Sequence, residues 1–157
     1  MNRLVQQDYE DAAAELGCDL ATIKAVCAVE SNGGGFDKNG LPIILFEGHV
    51  FSRLTEGVYD KDYPTISYPK WTKQFYTKNA EHKRLDQAKE LNEEAALKSA
   101  SWGLFQIMGM NYERCGFDSV FDYVDAVSES EAEQLLAFIN FVINDPKGKM
   151  QDDLVNK

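Results

Sequence analysis

The sequence predicts a mainly α-helical domain with one small β element near residues 41–46. Apolar residues recur at helical spacing through most of the chain, and the spaced stretches end at typical helix terminators. Only residues 41–46, LPIILF, form a short β-branched run that favours a strand. With 157 residues, 44% of them hydrophobic, and no internal repeat, the chain fits one domain around one core.

Two helices are predicted at the start of the chain. The first covers about residues 4–15 and stops at Gly17, a usual helix terminator. Asp19 suits the N-cap of the second helix, which carries an apolar stripe and runs to Glu30. Residues 32–35, NGGG, then end this helix.

The middle of the chain is predicted to mix a long loop with short helices. Residues 57–71 are rich in Tyr, Pro and Asp, which indicates an irregular loop of the kind that is often functional. A charged helix is predicted over 79–90, and Asn92 suits the cap of a short helix that follows. Residues 99–109 are an apolar stretch with one amide, Gln106.

The C-terminal part predicts a core helix. Two capping boxes overlap here, Ser128 with Glu131 and Ser130 with Glu133. The second box leads into a broad apolar face that ends at residues 145–146, Asp-Pro. The residues of that face are Leu135, Leu136, Phe138, Ile139, Val142 and Ile143.

Charge and hydropathy exclude several classes of partner. The net charge is −10, and the one short mixed run, residues 81–84, is no basic patch for nucleic acid. No apolar run is long enough for a membrane span, and residues 1–8 lack the apolar middle of a signal peptide. We therefore expect synthesis in the cytoplasm without a signal peptide, no membrane insertion, and a partner held by hydrogen bonds and stacking.

The cysteines and histidines predict neither a disulfide framework nor a metal site. Three cysteines, Cys18, Cys27 and Cys115, form an odd set without metal-type spacing, and the chain has two histidines. We expect buried or idle thiols, no metal and no cofactor.

Glu30 is the first candidate for chemistry, within the stretch AVESNGGGF at residues 28–36. The C-terminal end of a helix disfavours negative charge, and apolar neighbours such as Val29 and Phe36 would act in the same direction. Both effects favour a protonated carboxyl that donates a proton near neutral pH, as cleavage of a glycosidic bond requires. The alternative is a solvated glutamate before a helix-terminating loop.

Glu47 is the second candidate carboxylate, because acid-assisted sugar hydrolysis commonly uses two. Its alternative is a hydrogen-bonded structural role. His49 either pairs with Glu47 or anchors the loop backbone. Gln106 offers an amide to an N-acetyl group, and Trp102, like the tyrosines of the long loop, either stacks on a sugar ring or belongs to the core.

Three segments together resemble the N-acetylmuramidase domain of phage endolysins and bacterial cell-wall lysins. They are residues 28–36, residues 42–55 (PIILFEGHVFSRLT) and residues 99–112 (SASWGLFQIMGMNY). The resemblance runs from about residue 10 to the end of the chain. More distantly, Glu30-Ser31 and GLFQI at 103–107 are similar to goose-type lysozymes and lytic transglycosylases, in which the helix-terminal glutamate is the general acid.

The resemblance implies a lysozyme-like fold, a helical bundle around a buried helix, that cleaves the β-1,4 bond between N-acetylmuramic acid and N-acetylglucosamine in peptidoglycan. Glu30 would be the acid and Glu47 a second acidic residue. The sugar cleft would be lined by Ser31, His49, Trp102, Gln106, Ile107 and Tyr112. Two alternatives stay open: a lytic transglycosylase, in which the muramyl 6-hydroxyl replaces water, and a glycan-binding module without turnover.

The chain departs from the family at its end. Family members usually continue into an aromatic segment with a Tyr-Asn-Gly element, whereas this chain stops at residues 155–157. We therefore expect residues 1–157 to be one catalytic domain without that segment. Because cell walls are generally anionic and the chain is acidic, affinity is expected from shape and hydrogen bonds, or from a separate wall-binding module. The domain would act on the wall after release.

Overall fold

The computed structural model describes residues 3–30, 34–78 and 80–156, and at positions 29 and 30 it describes the backbone only. These residues form eight α-helices, three short strands and one 3₁₀ turn, Gly109–Asn111. The mainly helical architecture with a small β element is the predicted one.

The first two helices begin and end where local sequence signals place them. Helix α1 spans Gln6–Leu16 and ends at Gly17, whose φ of 71° is the left-handed conformation that glycine adopts at low cost. Helix α2 spans Leu20–Glu30. Asp19 caps it, because its Oδ1 accepts a hydrogen bond from the backbone N–H of Thr22 at 2.7 Å. Of the predicted terminator, residues 32–35, the first two lie outside the described residues.

A three-stranded antiparallel sheet extends the predicted β element. Strand β1, Ile44–Phe46, pairs with β2, Ala100–Trp102, and β2 pairs with β3, Ile107–Met108. In the register, Ile44 lies opposite Trp102 and Trp102 lies opposite Ile107. The stretch predicted only as apolar, residues 99–109, therefore supplies two of the three strands. The strand run itself is shorter than the predicted 41–46.

Short helices flank an irregular loop in the middle of the chain. Helix α3 spans Gly48–Leu54, and the residues from 55 to 78 form turns without regular structure, which includes and extends the loop predicted over 57–71. Helices α4, Glu81–Leu91, and α5, Glu93–Lys98, follow. Asn92 caps α5 by accepting from the N–H of Ala95 at 3.0 Å, as predicted. The predicted start of α4 at Asn79 lies outside the described residues.

Three helices complete the chain: α6, Val120–Glu129, α7, Glu131–Ile143, and α8, Lys149–Val155. Ser130 caps α7 by accepting from the N–H of Glu133 at 3.2 Å, as the second capping box predicts. The first box is wrong, because Ser128 lies inside α6. Ser119 caps α6 instead and accepts from the N–H of Asp122 at 3.1 Å.

Helix α7 contributes the predicted apolar face to the core and packs against α1, α6 and α8. It does not bury its whole apolar surface, since Leu136 and Ile143 are exposed. Its buried apolar residues are Leu135, Ala137, Ile139 and Val142. No helix in the described part of the chain combines the length and the apolar character that a membrane crossing requires.

Candidate active site

Three chain segments meet at the backbone of Ile43. Its N–H donates to the carbonyl of Gly35 at 2.9 Å, which ties it to the segment that follows α2. Its carbonyl accepts from the N–H of Gly103 at 2.7 Å and from Nε2 of Gln106 at 3.1 Å. These hydrogen bonds hold together the segment after Glu30, the approach to β1, and the turn between β2 and β3.

Gly35 and Gly103 allow these segments to come together, because both pack against the side chain of Gln134 where a larger residue would clash. A Cβ on Gly35 would lie 1.9 Å from Oε1 of Gln134, and a Cβ on Gly103 would lie 2.4 Å from its Cδ. Gln134 is 2% exposed, accepts from the N–H of Leu104 at 2.8 Å and donates to the carbonyl of Val127 at 2.8 Å. The third glycine of the run is therefore needed for close approach.

Glu131 fixes the same segment from α7. Its Oε1 accepts from the N–H of Gly35 at 2.8 Å, and its Oε2 accepts from the N–H of Leu4 at 3.1 Å. The side chain is buried, so these two backbone donors satisfy a carboxylate that would otherwise be costly to bury. The sequence assigned Glu131 to a capping box, and tertiary packing gives it this structural role instead.

Glu47 follows β1 directly and precedes α3. Its N–H donates to the carbonyl of Ser99 at 2.9 Å, and its carbonyl accepts from the N–H groups of Val50 and Phe51. The side chain is 17% exposed, and its Oε2 accepts a hydrogen bond from the phenol of Tyr76 at 2.5 Å. The backbone of Glu47 is thus pinned by the sheet and α3, and one of its carboxylate oxygens is occupied.

His49 lies beside this carboxylate, in the first turn of α3. Its Nδ1 is 3.4 Å from Oε2 of Glu47. This nitrogen is buried and makes no hydrogen bond within the described residues. His49 therefore lies beside Glu47 without a hydrogen bond to it, and its predicted pairing with Glu47 stays a prediction.

Tyr76 comes from the end of the long loop and is partly buried. Burial raises the pKa of its phenol, and the hydrogen bond to Glu47 and the charge of that carboxylate raise it further. The phenol is therefore protonated at neutral pH and donates to Glu47. Trp71, in the same loop, is 57% exposed, and Nζ of Lys73 lies 5.9 Å from the centre of its ring.

Glu81 and Arg84 form a buried ion pair behind Glu47. Their side chains are 9% and 8% exposed, and Nη1 of Arg84 is 3.1 Å from Oε2 of Glu81. The Glu81 carboxylate also accepts from the N–H of Phe46 at 2.9 Å and from the N–H of Thr77 at 2.8 Å. Arg84 donates to the carbonyls of Phe46, at 3.2 Å, and Thr65, at 3.0 Å.

Gln106 has an internal role that the sequence did not predict. Its Nε2 donates to the carbonyls of Ile43, at 3.1 Å, and Gly103, at 2.8 Å, while its Oε1 accepts from the hydroxyl of Ser101 at 2.8 Å. Its φ is 49°, a left-handed conformation that is uncommon outside glycine. Both amide hydrogens are used, so the expected offer of this amide donor to an N-acetyl group is not seen.

Trp102 and Ile107 lie in the core and correct the expectation that they line a sugar cleft. Trp102 is 4% exposed, and its indole N–H donates to the carbonyl of Leu97 at 3.2 Å, so no ring face is open for stacking. Ile107 is 8% exposed, and its carbonyl accepts from the phenol of Tyr123 at 2.9 Å. The choice left open for Trp102 is thus resolved toward the core.

Tyr112 follows the 3₁₀ turn and is only partly buried. Its phenol donates to the carboxylate of Glu113 at 3.2 Å, and Nζ of Lys98 lies 5.5 Å from its ring centre. The backbone of Glu30 ends α2, while its side chain and all of Ser31 lie outside the described residues.

Metal ligands do not cluster in the part of the chain that the structure describes. No group of three His, Cys, Asp or Glu side chains there could hold a metal ion. The three cysteines are free thiols, with Cys27 and Cys115 buried and Cys18 partly buried.

The sequence missed the residues that support Glu47. Glu81 and Arg84 stand in a mixed charge run that is typical of a solvated helix face, and their spacing of three was the one available signal for an ion pair. No local pattern distinguishes Tyr76 from the other tyrosines of the loop. The glycines at 33–35 and 103 were a signal for close backbone approach, but not for Gln134 as the neighbour.

Comparisons with known proteins give a consistent result. The sequence profile of the N-acetylmuramidase family matches residues 19–156. The crystal structure of the Burkholderia AP3 phage endolysin superposes with a TM-score of 0.92 at 38% sequence identity, over 99% of this chain and 60% of the endolysin chain. This chain therefore spans about 60% of that endolysin's length. Among proteins with curated descriptions, none matches. The lysozyme-like fold class implied by the sequence is confirmed.

Proposed function

Because the chain belongs to the N-acetylmuramidase family, we propose that it hydrolyses the glycan strands of peptidoglycan at the β-1,4 bond between N-acetylmuramic acid and N-acetylglucosamine. The observation that carries this proposal is the meeting of the three resemblance segments at one place. The backbone of Ile43 joins the segment that follows Glu30 to the GLFQI turn, and Ile43 directly precedes the strand that leads to Glu47. Two carboxylates on converging segments are what glycosidic cleavage commonly uses.

Glu30 is proposed as the general acid. It is the last residue of α2, where the helix dipole opposes a negative charge and so favours the protonated carboxyl. A neutral glutamic acid at that position would protonate the leaving glycosidic oxygen. Further along the chain, Gly35 is anchored on α7, because its N–H donates to Glu131.

Glu47 is proposed as the second carboxylate, which activates water or stabilises the positive charge that develops on the sugar. One of its oxygens is held by Tyr76, and its side chain keeps some access to solvent. The sugar would be met by Trp71, whose ring is largely exposed in the loop that also carries Tyr76. Exposed aromatic rings offer stacking surface that the buried Trp102 does not have.

The test is a pair of matched variants assayed on purified peptidoglycan and on permeabilised Gram-negative cells. Glu30→Gln is expected to abolish turbidity clearing while the far-ultraviolet circular dichroism stays unchanged. Glu15→Gln is the control, because Glu15 is exposed in the last turn of α1 and so also lies at a helix end. Wild-type clearing by Glu30→Gln would refute the assignment of the general acid.

The products separate hydrolysis from the alternatives. Mass spectrometry is expected to find reducing N-acetylmuramic acid ends. Anhydromuramyl ends would instead identify a lytic transglycosylase, and calorimetric binding of muropeptides without any cleavage would identify a glycan-binding module. Residues 1–157 are proposed to act as one catalytic domain, with wall affinity supplied by hydrogen bonds or by a separate module.

A further inference from the structure

We propose that Tyr76 is a positioning residue for Glu47, and that the buried Glu81–Arg84 pair holds Tyr76 and Glu47 in register. This inference rests on the proposed function, in which Glu47 is the second carboxylate. It gives Tyr76, Glu81 and Arg84 a role in supporting the candidate active site, which neither the sequence motifs nor the resemblance assigns to them. The contacts that support it lie within residues 34–78 and 80–156.

The contact between Tyr76 and Glu47 fixes the direction of the carboxylate. The phenol donates to Oε2 at 2.5 Å, and Nδ1 of His49 lies 3.4 Å from the same oxygen. Hydrogen bonds to ionised acceptors are short and about twice as strong as neutral ones. With Oε2 engaged on this side, Oε1 is the oxygen left to face a water molecule or a sugar.

The carboxylate of Glu81 binds the two backbone segments that carry the contact between Tyr76 and Glu47. Its Oε2 accepts from the N–H of Phe46, the residue directly before Glu47. Its Oε1 accepts from the N–H and from the hydroxyl of Thr77, the residue directly after Tyr76. One buried side chain therefore holds the neighbours of both partners.

Arg84 binds the Glu81 carboxylate and the same end of β1. Nη1 of Arg84 bridges Oε2 of Glu81 and the carbonyl of Phe46, so both polar groups of Phe46 are bound by the pair. The guanidinium also lies over the ring of Phe46, with its central carbon 5.2 Å from the ring centre. A buried carboxylate needs such a partner, and Nη1 of Arg84 supplies it, while the buried Nε of Arg84 makes no hydrogen bond within the described residues.

The functional consequence is preorganisation of Glu47. Tyr76 and Glu47 are separated by 29 positions, and the intervening loop has no regular structure after α3. Without an anchor, that loop would have to be ordered each time the catalytic geometry formed, at an entropic cost. The Glu81–Arg84 pair places the phenol beside the carboxylate before any substrate arrives.

The first test compares two Tyr→Phe variants in the same loop. Tyr76→Phe removes the donor and keeps the ring, and is expected to lower kcat roughly tenfold with KM changed less than about twofold. Tyr63→Phe is the matched control, because Tyr63 is 44% exposed and its phenol makes no hydrogen bond within the described residues; its kinetics are expected to equal the wild type. Equal kinetics for Tyr76→Phe and the control would overturn the positioning role.

The second test reads the contact without using activity. With tyrosines labelled at Cζ with carbon-13, the Tyr76 signal at neutral pH is expected to move upfield in Glu47→Gln relative to the wild type, because the phenol no longer donates to a carboxylate. A Tyr76 chemical shift unaffected by Glu47→Gln would overturn the contact itself.

The activities of Glu47→Gln and Tyr76→Phe together distinguish failure of the positioning role from failure of the proposed function. Loss of activity in Glu47→Gln beside wild-type activity in Tyr76→Phe would overturn the positioning role and leave the muramidase assignment intact. Wild-type activity in Glu47→Gln would overturn the catalytic role of Glu47, and with it the reason for positioning it. Loss in both variants, together with the changed Tyr76 chemical shift in Glu47→Gln, supports the proposal.

Discussion

Replacing Glu81 with Gln is the most informative single perturbation of the site's support. The two side chains have the same shape, so packing is preserved and only charge and hydrogen bonding change. In the wild type, the carboxylate accepts from Phe46, from the N–H and hydroxyl of Thr77, and from Arg84. The amide of Gln keeps one acceptor oxygen, and its NH₂ group faces donors on the other side.

The cost follows from these contacts. One buried backbone N–H, that of Phe46 or Thr77, loses its acceptor at about 1–3 kcal/mol. Arg84 loses its counter-charge while 8% exposed, and breaking a buried pair by removing one partner costs about 3–5 kcal/mol. The two effects overlap, so we expect a total of about 3–5 kcal/mol. For a chain of this size, that lowers Tm by roughly 6–20 °C.

The assay is differential scanning calorimetry with a matched control. Glu94→Gln removes the carboxylate of another helical pair, with Lys98, but Glu94 is 58% exposed. Exposed pairs contribute at most about 1 kcal/mol, so this variant is expected to melt within a few degrees of the wild type. If Glu81→Gln melted no lower than Glu94→Gln, the Glu81–Arg84 pair would not anchor the backbone at Phe46 and Thr77.

Other variants test the glycine segment, the exposed aromatic ring and the thiols. Gly35→Ala is expected to destabilise the fold by about 1–3 kcal/mol, since the added methyl group would clash with the side chain of Gln134. An unchanged urea midpoint would show that the segment moves to accommodate the methyl group and would contradict this prediction. Trp71→Ala, made in an inactive background, is expected to weaken binding of glycan fragments roughly tenfold by calorimetry, and unchanged affinity would exclude stacking there. Burial raises the pKa of the Cys27 thiol to about 11, so Ellman's reagent at pH 8 should label the partly buried Cys18 and spare Cys27. The stability that protonated Cys27 contributes is present below its ordinary pKa of 9.0 and is lost as the pH rises toward about 11; the urea midpoint should therefore fall more steeply over that range in the wild type than in Cys27→Ala.

Several parts of the fold were predictable because their causes are local. The end of α1 at Gly17 and the caps of α2, α5 and α7 each depend on residues within about four positions. The strand before Glu47 was visible as a β-branched run. The candidate carboxylates were found by their place next to such elements, and the resemblance then named the family.

Other parts of the site could not be predicted, because the same local pattern fits two environments. Ser128 and Ser130 both fit a capping box with the glutamate three residues later, and only the packing of α6 against α7 selects Ser130. Trp102 fits either a sugar platform or the core until its strand is paired on both sides. Gln106 looks like a free amide until Ile43 and Gly103 are placed beside it.

By itself, the sequence determined the mainly helical class, the end of α1, the caps of α2, α5 and α7, the two candidate carboxylates and the family. Tertiary structure alone decided that Glu131 and Glu81 are buried anchors and that Tyr76 reaches Glu47. The physical reason is distance along the chain: Glu81 binds Phe46 across 35 positions, and Glu131 binds Gly35 across 96. A carboxylate's cost of burial, and the donors that offset it, are set only when packing brings such distant backbone groups together.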